Sequence, residues 1–124
     1  MKFSQHKNEV KYYQMDKLNH YRQSIHNFLS KYANVWKEEE IETQIIIDVE
    51  RDHYLLLRIG WEGNKRINYS VFQFDIKNDK IWVQENTTDV EIDREFEEMG
   101  ISKKEMVIGF HHPSMREYSD YSIA

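Results

Sequence analysis

TQIIIDVE (residues 43–50), DHYLLLRIGW (52–61), RINYSVFQFDI (66–76) and KIWVQE (80–85) follow one another with only short polar breaks between them. Each run is dense in β-branched and aromatic residues, the side chains that fit a pleated, half-buried surface, so each reads as a strand. The breaks are Glu50-Arg51-Asp52, Glu62-Gly63-Asn64-Lys65 and Lys77-Asn78-Asp79. Gly63 and Asn64 tolerate positive φ, and Asn78-Asp79 offers side chains that bond their own backbone, so these are tight-turn signals. A parallel pair needs a crossover of about a dozen residues or more. Connections this short therefore predict an antiparallel meander.

Alternation assigns the faces. In the second strand Leu55, Leu57, Ile59 and Trp61 point one way and Tyr54, Leu56, Arg58 and Gly60 the other, which makes the first set the apolar face. In the third strand Ile67, Tyr69 and Val71 share a face, whereas Phe72, Phe74 and Ile76 take the opposite one. The apolar set changes sides near Val71. A β-bulge or a strong twist there would realign it, because a one-residue slip moves every later side chain across the sheet. The alternative is a strand covered on both faces.

The flanks read as cover for this sheet. From Asp16 onward Leu18, Tyr21, Ile25, Phe28, Leu29, Tyr32 and Trp36 recur at helical spacing, with Asp16 placed at the positive N-terminal end and Lys37-Glu38-Glu39-Glu40 as a solvated exit. Residues 1–14 show no such period and read as an arm. After the meander, Thr88 and Glu91 have capping-box spacing ahead of a short helix carrying Ile92, Phe96 and Met99, with Gly100 as its left-handed stop. Ser102 and Glu105 repeat the capping pattern over a single turn. Met106-Val107-Ile108-Gly109-Phe110 is then a fifth strand or a buried segment, and the tail from His111 is polar and aromatic, with Pro113 opposing regular pairing. The expected fold is α+β: a meander sheet of four to five strands, a long N-terminal helix on one face and a short C-terminal helix, in one domain over residues 15–124.

A chain of 124 residues can bury one core unaided. No run reaches the ~20 apolar residues of a membrane span, and the N-terminus lacks an apolar export segment, so a cytoplasmic protein is expected. The absence of cysteine excludes disulfides and thiolate chemistry. Asp and Glu number 22 against 17 Lys and Arg, a net charge of −5. Non-specific duplex binding depends on cations displacing phosphate counterions, so this balance argues against autonomous DNA binding.

No phosphate-cradling glycine loop or zinc-binding helix spacing is present. His111-His112 and His53 form the nearest approach to a metal or acid–base cluster. Adjacent residues point apart, however, and a zinc site needs three or four clear ligands, so they read as ordinary hydrogen-bonded histidines. Glu50-Arg51-Asp52-His53 is charge-dense but lies where a hairpin turn collects polar residues. No catalytic, cofactor-binding or metal-binding residue is assigned. Trp61, Trp82, Tyr118 and Tyr121 lie at strand ends or in the tail, where amphipathic aromatics serve either the core or an interface. Core filling is the first reading for the tryptophans and an interface for the tyrosines. With His111, His112 and Arg116 they make up the candidate partner-binding set.

The segments Met15-Asp16-Lys17-Leu18-Asn19-His20-Tyr21-Arg22, Glu50-Arg51-Asp52-His53-Tyr54, Gly60-Trp61, Asp75-Ile76 with Lys80-Ile81-Trp82-Val83-Gln84, and Val107-Ile108-Gly109-Phe110-His111 with Pro113 occur in an order that resembles the XisI family. Its members are small controlling factors for excision of a DNA element in cyanobacteria. The resemblance implies an α+β, non-enzymatic accessory protein acting with a site-specific recombinase and with a companion, XisH, encoded nearby; it transfers no catalytic residue. DNA would be reached only through the partner or the recombinase, and self-association through a sheet edge stays open. A second functional class is an antidote whose acidic surface masks a nuclease-like XisH partner. A third is a hydrolase using His53 or His111.

Overall fold

A computed structural model describes the backbone of residues 2–124 and the side chains of residues 16–124. Helix α1 (Lys2–Val35) is followed by β1 (Ile41–Asp48), β2 (His53–Glu62), β3 (Lys65–Lys77), β4 (Lys80–Asn86), α2 (Ile92–Glu98) and β5 (Met106–Ile108). The strands lie in the order β1-β2-β3-β4-β5. The first four pair antiparallel as a meander, and β5 joins β4 in parallel, with Trp82 beside Val107. The sheet is thus mixed. The parallel pair is possible because the connection through α2 is long enough for a crossover.

Backbone conformation at the turns follows the sequence. Asn78 and Asp79 both have positive φ, 53° and 60°, as the two-residue hairpin between Lys77 and Lys80 demands. In the β2–β3 turn only Gly63 is left-handed. The slip near Val71 is a bulge: Leu56 pairs with Phe72 and Leu57 with Ser70, leaving Val71 as the extra residue. A second irregularity leaves Gln84 unmatched opposite the Gln73–Phe74 step.

The bulge lets β3 keep one apolar face. Tyr54 and Leu56 of β2, Val71, Phe72, Phe74 and Ile76 of β3, and Ile81 and Val83 of β4 all pack under α1. Tyr21, Ile25, Phe28, Leu29 and Tyr32 form the matching stripe of the helix. Phe28 sits at the centre, its ring 4.8 Å from Phe72, 5.5 Å from Phe74 and 5.3 Å from Phe96 of α2. Both helices therefore cover the same face. This reverses the expected assignment in β2: Leu55, Leu57 and Ile59 are half-buried on the uncovered face, and the buried set begins with Tyr54 and Leu56.

Three boundaries also differ. The backbone is helical back to Lys2, so Asp16 lies inside α1 rather than at its start, and the backbone of residues 2–14, read as an arm, continues that helix. The Thr88–Glu91 capping box does not form. Thr88 Oγ1 instead accepts from Val90 N at 3.0 Å within the loop, and α2 begins at Ile92 with no side-chain cap. Gly100, at φ 84°, does end that helix, and the Ser102–Glu105 turn does close, with Ser102 N donating to Glu105 Oε2 at 2.8 Å.

Candidate interaction site

The last strand is too short to finish the sheet alone, and the tail completes it. Gly109 N donates to Val83 O at 2.8 Å, carrying the pairing with β4 one residue past β5, and the tail then returns to it, Ser122 N donating to Met106 O at 2.9 Å. Pro113 opens a 3₁₀ helix, Pro113–Tyr118, whose first turn is capped by the His112 ring, with Ser114 N donating to His112 Nδ1 at 3.2 Å. Proline suits that position because its missing N–H would be unsatisfied there in any case.

Arg116 pins this tail. Its guanidinium donates to three carbonyls, His111 O at 3.1 Å, Gly109 O at 3.3 Å and Ile123 O at 3.5 Å, and lies 5.1 Å from the centroid of the Trp82 ring. Lys77 Nζ stands 4.2 Å from the same ring, and the indole N–H donates to Lys77 O at 3.1 Å. Trp82 is left only 7% exposed. Tyr121 packs against the edge of the core near Asp93 and Lys103, and burial, with Asp93 next, pushes its phenol up to about 12.

The outer side of the tail is a concavity of about 350 Å³ lined by Phe110, His111, His112, Met115, Tyr118 and Ser119. Phe110 and Met115 are exposed and Tyr118 is 77% exposed. A cluster of free aromatic and thioether side chains in a shallow hollow is chemistry suited to a protein surface. His111, His112 and Tyr118 thus come together in the concavity, and Arg116 on the same short segment reaches Trp82 instead. Trp61 does not join them. It pairs with Arg66 near the β2–β3 hairpin, at the far end of the sheet from Trp82, and at 49% exposed it fills no core. Phe110, expected in a fifth strand or a buried segment, lies beyond the end of β5 and is exposed, and Met115 on the 3₁₀ helix carried no signal in the sequence.

The charged turn resolves into separate pairs. Asp52, at φ 50°, takes both nitrogens of the Arg22 fork, 2.8 and 3.0 Å, and a 2.8 Å bond from Tyr54 Oη, which ties α1 to the β1–β2 turn. Arg22 holds the Asp52 carboxyl below its ordinary range. Arg51 binds Asp48 at 2.7 Å. His53 Nδ1 meets Asp75 Oδ1, whose other oxygen accepts from Gln84 at 3.1 Å. This pairing follows from the β2–β3 register and has no trace in the linear sequence. Among the described residues no group of three or more His, Asp or Glu is placed to hold a metal ion. His111 and His112 lie in the tail, and His112 bonds Ser114 there rather than joining the His53–Asp75 pair.

The comparisons agree with this architecture. The family model described as XisI protein matches residues 15–123. The chain belongs to the XisI family. The crystal structure of a XisI-like protein from Anabaena variabilis ATCC 29413 is similar to it at 37% identity, with a TM-score of 0.74, over 93% of this chain and 98% of that one. That of the fdxN element excision controlling factor XisI from the same organism is similar at 37% identity and a TM-score of 0.77, over 87% of this chain and 99% of that one. No curated protein matches. No helix among the described residues is long and apolar enough to cross a membrane.

Proposed function

We propose that the chain is a non-enzymatic controlling factor in the programmed excision of a DNA element, acting in the cytoplasm by binding a companion protein of the XisH type. The observation that carries this reading is the 37% identity to the fdxN element excision controlling factor XisI over nearly all of both chains. The tail concavity supports a protein partner, because Phe110, Met115 and Tyr118 are exposed where nothing in the fold requires them. The net charge of −5 supports indirect rather than direct contact with DNA.

The test is co-expression with the product of the neighbouring gene, together with an element-bearing reporter and its recombinase. Excision should depend on this chain, and the companion should co-purify with it; excision that proceeds equally without the chain contradicts the reading. The acid excess also fits masking of a basic, nuclease-like companion. Suppression of that companion's nuclease activity by the purified chain would replace the accessory role by the antidote role.

A further inference from the structure

The two edges of the sheet are finished differently, and β1 is closed only at its first residue, where Glu38 bridges Ile41. It is the terminal strand, paired with β2 over eight uninterrupted residue pairs, Ile41 with Gly60 through Asp48 with His53. Its outer side is met at that one place; among the described residues no other backbone pairing reaches the outer side of Glu42–Asp48. Edge strands are normally blunted by lysine, proline, a bulge or a cover. Ile41–Asp48 has none of the first three, and its Ile46 and Ile47 are 42% and 37% exposed.

Beside this edge lies a groove of about 340 Å³ between Arg22, Gln23 and His26 of α1 and Ile47, Val49 and Tyr54 of the sheet. Tyr54 and Ile47 are neighbours in one cross-strand row. The next position in that row, on a strand added outside β1, falls over the groove. Strand addition supplies main-chain bonds from the edge and specificity from a pocket for alternate side chains, and both parts are present here.

We propose that β1 is a strand-docking site. An extended segment of a partner protein pairs with Glu42–Asp48, places an apolar side chain in the groove beside Ile47, and carries Lys or Arg opposite Glu42. The charge preference follows from Glu39, Glu40 and Glu42, which form no salt bridge among the described residues, whereas Asp48 is held by Arg51. A second copy of this chain is disfavoured for the same reason. Two copies pairing antiparallel over Glu42–Asp48, with each face kept on its own side, overlap furthest when centred on Ile45. That register sets Asp48 against Glu42 of the other copy at both ends, and like charges placed opposite destabilise. The companion proposed above is one source of such a strand, but the site stands on its own geometry.

The test is an amide NMR titration of the labelled chain with a blocked peptide alternating lysine with valine and one phenylalanine, beside its glutamate analogue. The lysine peptide should shift amides within residues 41–49 and 19–26 and bind more tightly than the glutamate peptide. Ile47→Lys should weaken it about tenfold, and Glu42→Lys, at an exposed site that leaves the fold intact, should reverse the preference between the two peptides. Shifts confined to other surfaces, no shift with either peptide, or concentration-dependent shifts of residues 41–48 without peptide, which would mark a second copy as the occupant, each overturn the proposal. Hydrogen exchange on the companion complex separates the two readings. If the companion binds but leaves residues 41–48 unprotected and the peptide fails, strand docking falls alone; if the peptide docks on β1 and the companion does not co-purify, the companion reading falls alone.

Discussion

The β1 and β5 edges of this sheet pose the same physical problem and receive opposite treatment. β5 has three residues, all buried, and its exposed backbone is taken up by a tail that returns to Met106 and is held by Arg116 over Trp82. β1 has eight residues with apolar side chains exposed, and beyond the Glu38–Ile41 bridge at its start its outer edge is left open. A short edge is closed by the chain's own tail and a long one is left available. The difference teaches where to look for partners: at a covered edge the binding chemistry moves to the covering segment, and at an open edge it stays in the strand.

The largest expected effect breaks the open side. A Cβ on Gly60 would stand 2.0 Å from Glu40 O and 2.7 Å from Ile41 Cα, both backbone, so Gly60→Ala forces the start of β1 off β2. It should cost about 3 kcal/mol in urea unfolding, the upper end for overpacking, with residues 41–48 losing exchange protection first. Next, Arg116→Ala strips the closed side of its clamp. A loss of about 2 kcal/mol should accompany faster exchange at Met106–Ile108 and a red-shifted Trp82 emission, while β1 is unaffected.

Asp52→Asn loosens the Arg22 clamp between α1 and the β1–β2 turn, at about 1 kcal/mol for a half-exposed pair. Because the folded carboxyl titrates below its unfolded value, its contribution is present above about pH 4 and is lost as pH falls through the lowered folded-state value. The urea midpoint of the parent should therefore drop on acidification below pH ~4 more steeply than that of Asp52→Asn. The smallest effect sharpens the comparison. Tyr118→Ala should leave stability within about 0.5 kcal/mol, yet weaken companion binding measured by calorimetry.

Much of this fold was legible in the chain. The four meander strands fall within two residues of their expected bounds, and of the devices open at the reversal from Val71 to Phe72 the bulge is the one that forms. The faces of β2 were misread because Leu55, Leu57 and Ile59 are as apolar as the set that is buried. Only α1 decides between them, and its contact is tertiary. The Thr88 cap failed because a threonine side chain serves a loop turn as readily as a helix end. The interaction site was half visible. Tyr118, Arg116 and the histidines could be named from the tail's composition, but that Arg116 spends its guanidinium on backbone carbonyls and the Trp82 ring leaves no mark in a sequence. The edge position of the first strand followed from the meander, but the exposure of Ile46 and Ile47 did not, because Ile45-Ile46-Ile47 reads as core.

The account rests on this chain reaching DNA through a partner and not by its own contacts. The direct measurement is duplex binding by the chain, by the neighbouring-gene product and by their complex across a salt series. Binding by the companion and the complex alone, falling steeply with salt, is the predicted result; tight, sequence-specific binding by this chain on its own would contradict it.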